Sequence, residues 1–172
     1  MAGRTLAQKR HVCGFFNTRE EQNKVIIPFL REGLGRGEKV LRIVHPDHRE
    51  DYLSEYKAGG MDVEAAEKSG QLDVRHWHET YLANGRFDGN SMLALLQRGL
   101  EENRERYRLT RAVGNMEWAL EPVPGVTDLI EYESRLNQIV EDGPDALVCV
   151  HDLNSTVLVS LSTYCVLIPW SS

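Results

Sequence analysis

The feature that most constrains this chain is an alternation. Short apolar runs recur between longer stretches whose apolar residues fall every three or four positions. His11 to Phe16, Val40 to Val44, Leu72 to Trp77, Arg111 to Gly114 and Ala146 to His151 read as strands, because runs of this length bounded by turn residues suit a sheet buried on both faces. Between the first two, Ile26, Phe29, Leu30 and Leu34 share one helix face, which Gly35 and Gly37 bring to a stop. Thr18 and Glu21 have the spacing of a capping box at its start, and Pro28 inside it removes a backbone donor and predicts a kink.

The later connections repeat the pattern. Asp47 with Glu50 predicts a cap for a helix through Tyr52, Leu53 and Tyr56, stopped by Gly59 and Gly60. A short helix is expected over Val63 to Lys68, and Ser91 is the expected cap of the helix carrying Met92, Leu95, Leu96 and Leu100. The tail of that helix, Glu101 to Arg111, mixes charges of both signs, as a solvated face does. Thr127 or Asp128 can cap the last helix, through Leu129, Tyr132, Leu136 and Val140. Strands separated by helices of this length form βαβ units, so the expected fold is a three-layer α/β/α sandwich around a mainly parallel sheet.

A length of 172 residues with 41% hydrophobic content suits one domain over residues 1–172, with an ordered core of about 11–152. Val157 to Ile168 reads as strand or helix, and periodicity does not choose between them. Twenty basic against 26 acidic residues leave a net charge of -6, which argues against direct nucleic-acid binding, since that affinity comes from clustered cations. Cys13, Cys149 and Cys165 are an odd, scattered set that fits a reducing compartment. Met1 to Arg10 lacks the apolar segment of a secretory signal, and no apolar stretch is long enough to span a bilayer, so a cytoplasmic location without membrane contact is expected.

Several residue groups also stand in an order that resembles a known family. They are His11-Val12-Cys13-Gly14-Phe15-Phe16, Pro28-Phe29-Leu30 with Glu32-Gly33-Leu34 and Gly37-Glu38, Tyr81-Leu82 with Gly85 and Phe87-Asp88, Met116-Glu117-Trp118-Ala119-Leu120, Tyr132-Glu133 with Leu136-Asn137, and Cys149 with Asp152. Together they resemble the MEDS domain, the methanogen and methylotroph DcmR sensory domain. The resemblance implies a RecA-like or KaiC-like fold that has lost its nucleotide machinery and senses small molecules, with hydrocarbon derivatives as the ligand class. It also implies partners such as a histidine kinase, an anti-sigma factor or a transcription regulator. The sequence departs from the family at His151, where an aromatic residue is usual, and in its last residues, Thr163 to Trp170, where a His-Pro is usual.

The candidate chemistry follows from this layout. Gly14-Phe15-Phe16-Asn17-Thr18 stands where a nucleotide-hydrolysing relative would carry its phosphate loop, yet it has one glycine, no lysine and two bulky aromatics. Nucleotide binding is therefore a secondary alternative, and no catalytic set can be assigned. Gly33 to Gly37 follows a helix and reads as its terminus. Ligands of open parallel sheets bind beyond the carboxyl ends of the strands, which gathers Phe15, Phe16, Asn17, His45, Glu117, Trp118, His151 and Asp152. With His11, Cys13 and Cys149 these make the candidate ligand-binding set. Glu117 can orient a ligand or a hydrogen-bond network, whereas Tyr132, Glu133 and Asn137 are expected to pair among themselves along their helix.

Residues two apart on a strand share a face, so His11 with Cys13, His76 with His78, and Cys149 with His151 are candidate ligand pairs for zinc or another transition metal. The first and last strands are expected to be neighbours, which brings His11, Cys13, Cys149 and His151 into one region, although His11 opens its strand and His151 closes its own. The leading expectation is a small-molecule sensor that acts on a separate regulator, with self-association as a homodimer a further expectation. A metal-binding or redox-responsive regulator is the alternative.

Overall fold

The computed structural model describes residues 10–141 and 143–153. Its five strands are β1 His11–Phe16, β2 Lys39–Val44, β3 Leu72–His76, β4 Thr110–Asn115 and β5 Ala146–Asp152. All pairings are parallel and the order across the sheet is β1-β5-β4-β2-β3. The helices are α1 Arg19–Gly35, α2 Arg49–Ala58, α3 Val63–Lys68, α4 Gly89–Arg104 and α5 Leu129–Glu141. This is the three-layer α/β/α arrangement with a parallel sheet that the alternating pattern implies.

Side chains alternate across each strand, so two separate cores form. On one face, Cys13, Ile43, Ala112, Leu147 and Cys149 pack under Met92, Leu96 and Leu100 of α4 and Leu129, Leu136 and Val140 of α5. On the other, Val40, Val44, Val113 and Val150 pack against Ile26 and Leu30 of α1, Tyr52 and Tyr56 of α2, and Val63 of α3. Apolar burial on both faces is what makes the strands read as nearly continuous apolar runs. The last expected segment, Val157 to Ile168, lies outside the described residues.

Several helix starts differ from the expected ones, each for a local reason. Thr18 Oγ1 accepts from the Glu21 amide at 3.1 Å as a capping box requires, but the Glu21 carboxylate returns to Asn17, whose backbone and side-chain amides donate at 2.9 and 3.2 Å. Asn17 offers two donors where Thr18 offers one. Asp47 caps nothing: Pro46–His48 form a 3-10 turn in which His45 Nδ1 accepts from the Asp47 amide at 3.0 Å, and α2 starts at Arg49. Proline at the first position favours such a turn. Asp88, rather than Ser91, caps α4, accepting from the Ser91 amide at 2.9 Å. A 3-10 turn, Val126–Asp128, leads into α5 in place of a cap by Thr127 or Asp128. β3 ends at His76, and Trp77–Glu79 turn away from the sheet.

Candidate functional site

β1 and β5 pair with Cys13 opposite Cys149 and Phe15 opposite His151. The two-residue period therefore points His11, Cys13, Phe15, Cys149 and His151 at α5. The inward stripe of α5 consists of Leu129, Tyr132, Glu133, Leu136 and Val140, and Glu133 is its one acid. The result is a polar cluster inside an apolar core.

Glu133 Oε2 lies 3.1 Å from His11 Nε2, and both side chains are nearly inaccessible, at 0% and 2% exposure. His11 Nε2 is also 3.4 Å from Cys149 Sγ, and Cys13 Sγ is 3.7 Å from Glu133 Oε2. The other carboxylate oxygen, Oε1, is 3.8 Å from His151 Nε2. That separation is too long for a hydrogen bond, and both atoms are buried without a hydrogen-bond partner. Buried polar atoms are nearly always satisfied, so two orphans facing one another are a departure with a cost.

The surroundings shift the neighbouring groups. Burial pushes the His151 imidazole below its ordinary value, Glu133 opposes that shift, and His11 adds to it. Burial, then Glu133, pushes the Cys149 thiol well up, so it stays protonated. Burial likewise raises the Tyr81 and Tyr132 phenols, which hydrogen-bond to each other beside Cys149 and Glu133. Tyr81 needs the absence of a side chain on β4, since a Cβ at Gly114 would stand 2.2 Å from its hydroxyl.

A second polar network occupies the opposite face. Arg42, fully buried on β2, donates from Nε to Tyr56 Oη at 2.9 Å, from Nη1 to the Val113 carbonyl at 3.1 Å and from Nη2 to Asn115 Oδ1 at 2.6 Å. Asn115 Nδ2 then donates to Tyr52 Oη at 2.6 Å and to Glu117 Oε1 at 3.1 Å. Glu117 thus accepts from the outer end of a hydrogen-bond network at the end of β4.

The remaining candidates separate into different places. Phe15 stacks on His151 with ring centroids 4.9 Å apart, and stays partly exposed at the carboxyl ends of β1 and β5. Phe16 points to the other face, where its ring covers Gly14. Asn17 holds Glu21 and Asp152 is exposed. His45 sits just beyond β2, edge-on to Trp77 at 4.3 Å. Trp118 has no exposed surface and packs between Tyr81 and Phe87, with centroids 5.0 and 4.6 Å away. His76 and His78 do not share a strand face, because β3 has ended and His78 lies in the following turn.

Sequence reasoning left Glu133 to a helix-surface pairing. Instead, Asn137 Nδ2 donates to the Ser134 carbonyl at 3.3 Å, and Glu133 faces inward. Its position beside Tyr132 and three residues before Leu136 is the signal that an acid lies in an apolar stripe. Arg42 and Asn115 were missed as site residues, and Tyr52 was read only as part of its helix. Arg42 interrupts the apolar run Val40 to Val44 at an inward position, which marks it in retrospect.

The parallel sheet with helices on both sides, and a polar cluster sealed under α5 where β1 meets β5, define an α/β domain of KaiC-like fold. A KaiC-like protein from Pyrococcus horikoshii superposes with a TM-score of 0.61 at 16% identity, over 86% of this chain and 65% of that one, which establishes likeness of fold. The profile of the MEDS family, the methanogen/methylotroph DcmR sensory domain, matches residues 10–159, and the chain belongs to that family. The transcriptional repressor DcmR of Methylorubrum extorquens is 26% identical over 154 residues, covering 89% of this chain and 56% of the repressor. The chain thus spans little more than half of that relative. Family membership makes it a sensory, regulatory domain rather than an enzyme. Among the described residues, no helix is long and apolar enough to cross a membrane.

Proposed function

We propose that this chain binds a small organic, hydrocarbon-derived molecule and reports its presence to a separate regulatory protein, such as a transcription regulator, a histidine kinase or an anti-sigma factor. The observation that carries this reading is the stacked pair Phe15 and His151, at the carboxyl ends of adjacent parallel strands. Crevices of open parallel sheets lie at such ends. The partly exposed Phe15 ring supplies apolar contact area of the kind a small organic ligand needs. Membership in a sensory family supports the same reading.

The experiment is a thermal-shift screen of small organic and C1-type compounds, because a ligand that binds only the folded state raises the unfolding midpoint. A binder at 100 times its dissociation constant adds about 2.7 kcal/mol. The shift is expected to be lost in Phe15→Ala. A screen in which no compound moves the midpoint, or a shift that Phe15→Ala leaves intact, contradicts the assignment.

A further inference from the structure

Glu133 is a nearly inaccessible carboxylate with His11 Nε2 3.1 Å from one oxygen and His151 Nε2 3.8 Å from the other, and the Cys149 thiol stands 3.4 Å from that same His11 nitrogen. We propose that His11 Nε2, Cys149 Sγ and Glu133 Oε2 bind a zinc ion, and that His151 is a positioning residue for Glu133 through Oε1.

Both separations from His11 suit one tetrahedral ion. Zinc's usual bond lengths place a nitrogen and an oxygen ligand about 3.4 Å apart, and a nitrogen and a sulfur ligand about 3.6 Å apart. The observed separations are 3.1 Å from His11 to Glu133 and 3.4 Å from His11 to Cys149. An imidazole, a thiol and a carboxylate are also the donor mixture that borderline-soft zinc accepts and that calcium and magnesium do not. Cys149 is a free thiol. Cys13, whose sulfur borders the same spot, has a further interaction of its own and is left out of the ligand set.

Charge points the same way. Binding expels the Cys149 proton to solvent, so Zn²⁺ meets one thiolate, one carboxylate and one neutral imidazole, and the buried assembly carries no net charge. The orphans are resolved as well. With the metal on Oε2, His151 Nε2–H can close on Oε1, the outer-shell contact that fixes a carboxylate ligand. Three protein ligands leave the fourth tetrahedral position to a non-protein ligand.

The full chain, stripped with chelator and kept reduced, is titrated with Zn²⁺ against a chromophoric chelator and separately with Co²⁺. One zinc per chain is expected, and cobalt should give the visible bands of a tetrahedral ion together with a thiolate-to-cobalt charge-transfer band. Cys149→Ser should remove the charge-transfer band, and Glu133→Gln should weaken zinc binding by about 100-fold or more. His48→Ala, on the exposed surface, should change neither. Absence of stoichiometric binding by the folded wild-type chain overturns the proposal, as does wild-type cobalt without the thiolate band. Should the variants fold, zinc binding that survives both Glu133→Gln and Cys149→Ser, or that is lost in His48→Ala, overturns it too.

Discussion

The two faces of the sheet each bury a polar network, and they treat it differently. Under α1 and α2, the Arg42 guanidinium uses three nitrogens on three acceptors, and Asn115 passes the chain of hydrogen bonds to Tyr52 and Glu117. Each of those groups has a partner at 2.6 to 3.1 Å. Under α5, by contrast, Glu133 Oε1 and His151 Nε2 stand 3.8 Å apart with no hydrogen-bond partner. A fully satisfied network rigidifies a core and ties elements together, whereas a half-satisfied one costs stability and persists where something else uses it. On the proposals made above, the satisfied Arg42 network acts as scaffold and the Glu133 cluster as the place where a ligand or ion is bound.

Replacing the central residue on each face tests that contrast. Arg42→Met removes three donors and strands the Val113 carbonyl, Asn115 and Tyr56 in a dry interior. It should cost roughly 4 kcal/mol in urea unfolding; a loss below about 1 kcal/mol would erase the distinction between the faces. Glu133→Gln is the smaller change. The amide keeps an acceptor for His11 and gains a donor toward His151, so metal-free stability should move by less than about 1 kcal/mol. A loss as large as that of Arg42→Met would make both networks scaffold.

The sequence disclosed the sheet better than the site. Strand positions and the neighbouring of β1 and β5 were legible because short apolar runs separated by helices, with burial on both faces, leave few arrangements. The sequence also brought His11 and His151 into one region, but their places at opposite ends of their strands argued against contact, and it is Glu133 that lies between them. Nothing in β1 or β5 names the helix that lies over them. Trp118 shows the opposite difficulty: an aromatic after a parallel strand suits a crevice as well as a core, and only the packing of Tyr81 and Phe87 around it reveals which. Arg42 was hidden because its acceptors, Tyr56, Val113 and Asn115, lie on other elements and are brought to it only by the fold.

Backbone amide NMR of the full chain, recorded with and without zinc or a compound that raises the midpoint, tests the division of labour most directly. The amides of Phe15, Glu133, Cys149 and His151 should shift, while those of Arg42, Val113 and Asn115 stay in place. Perturbations concentrated around Arg42 and α2, with Glu133 silent, would contradict the account.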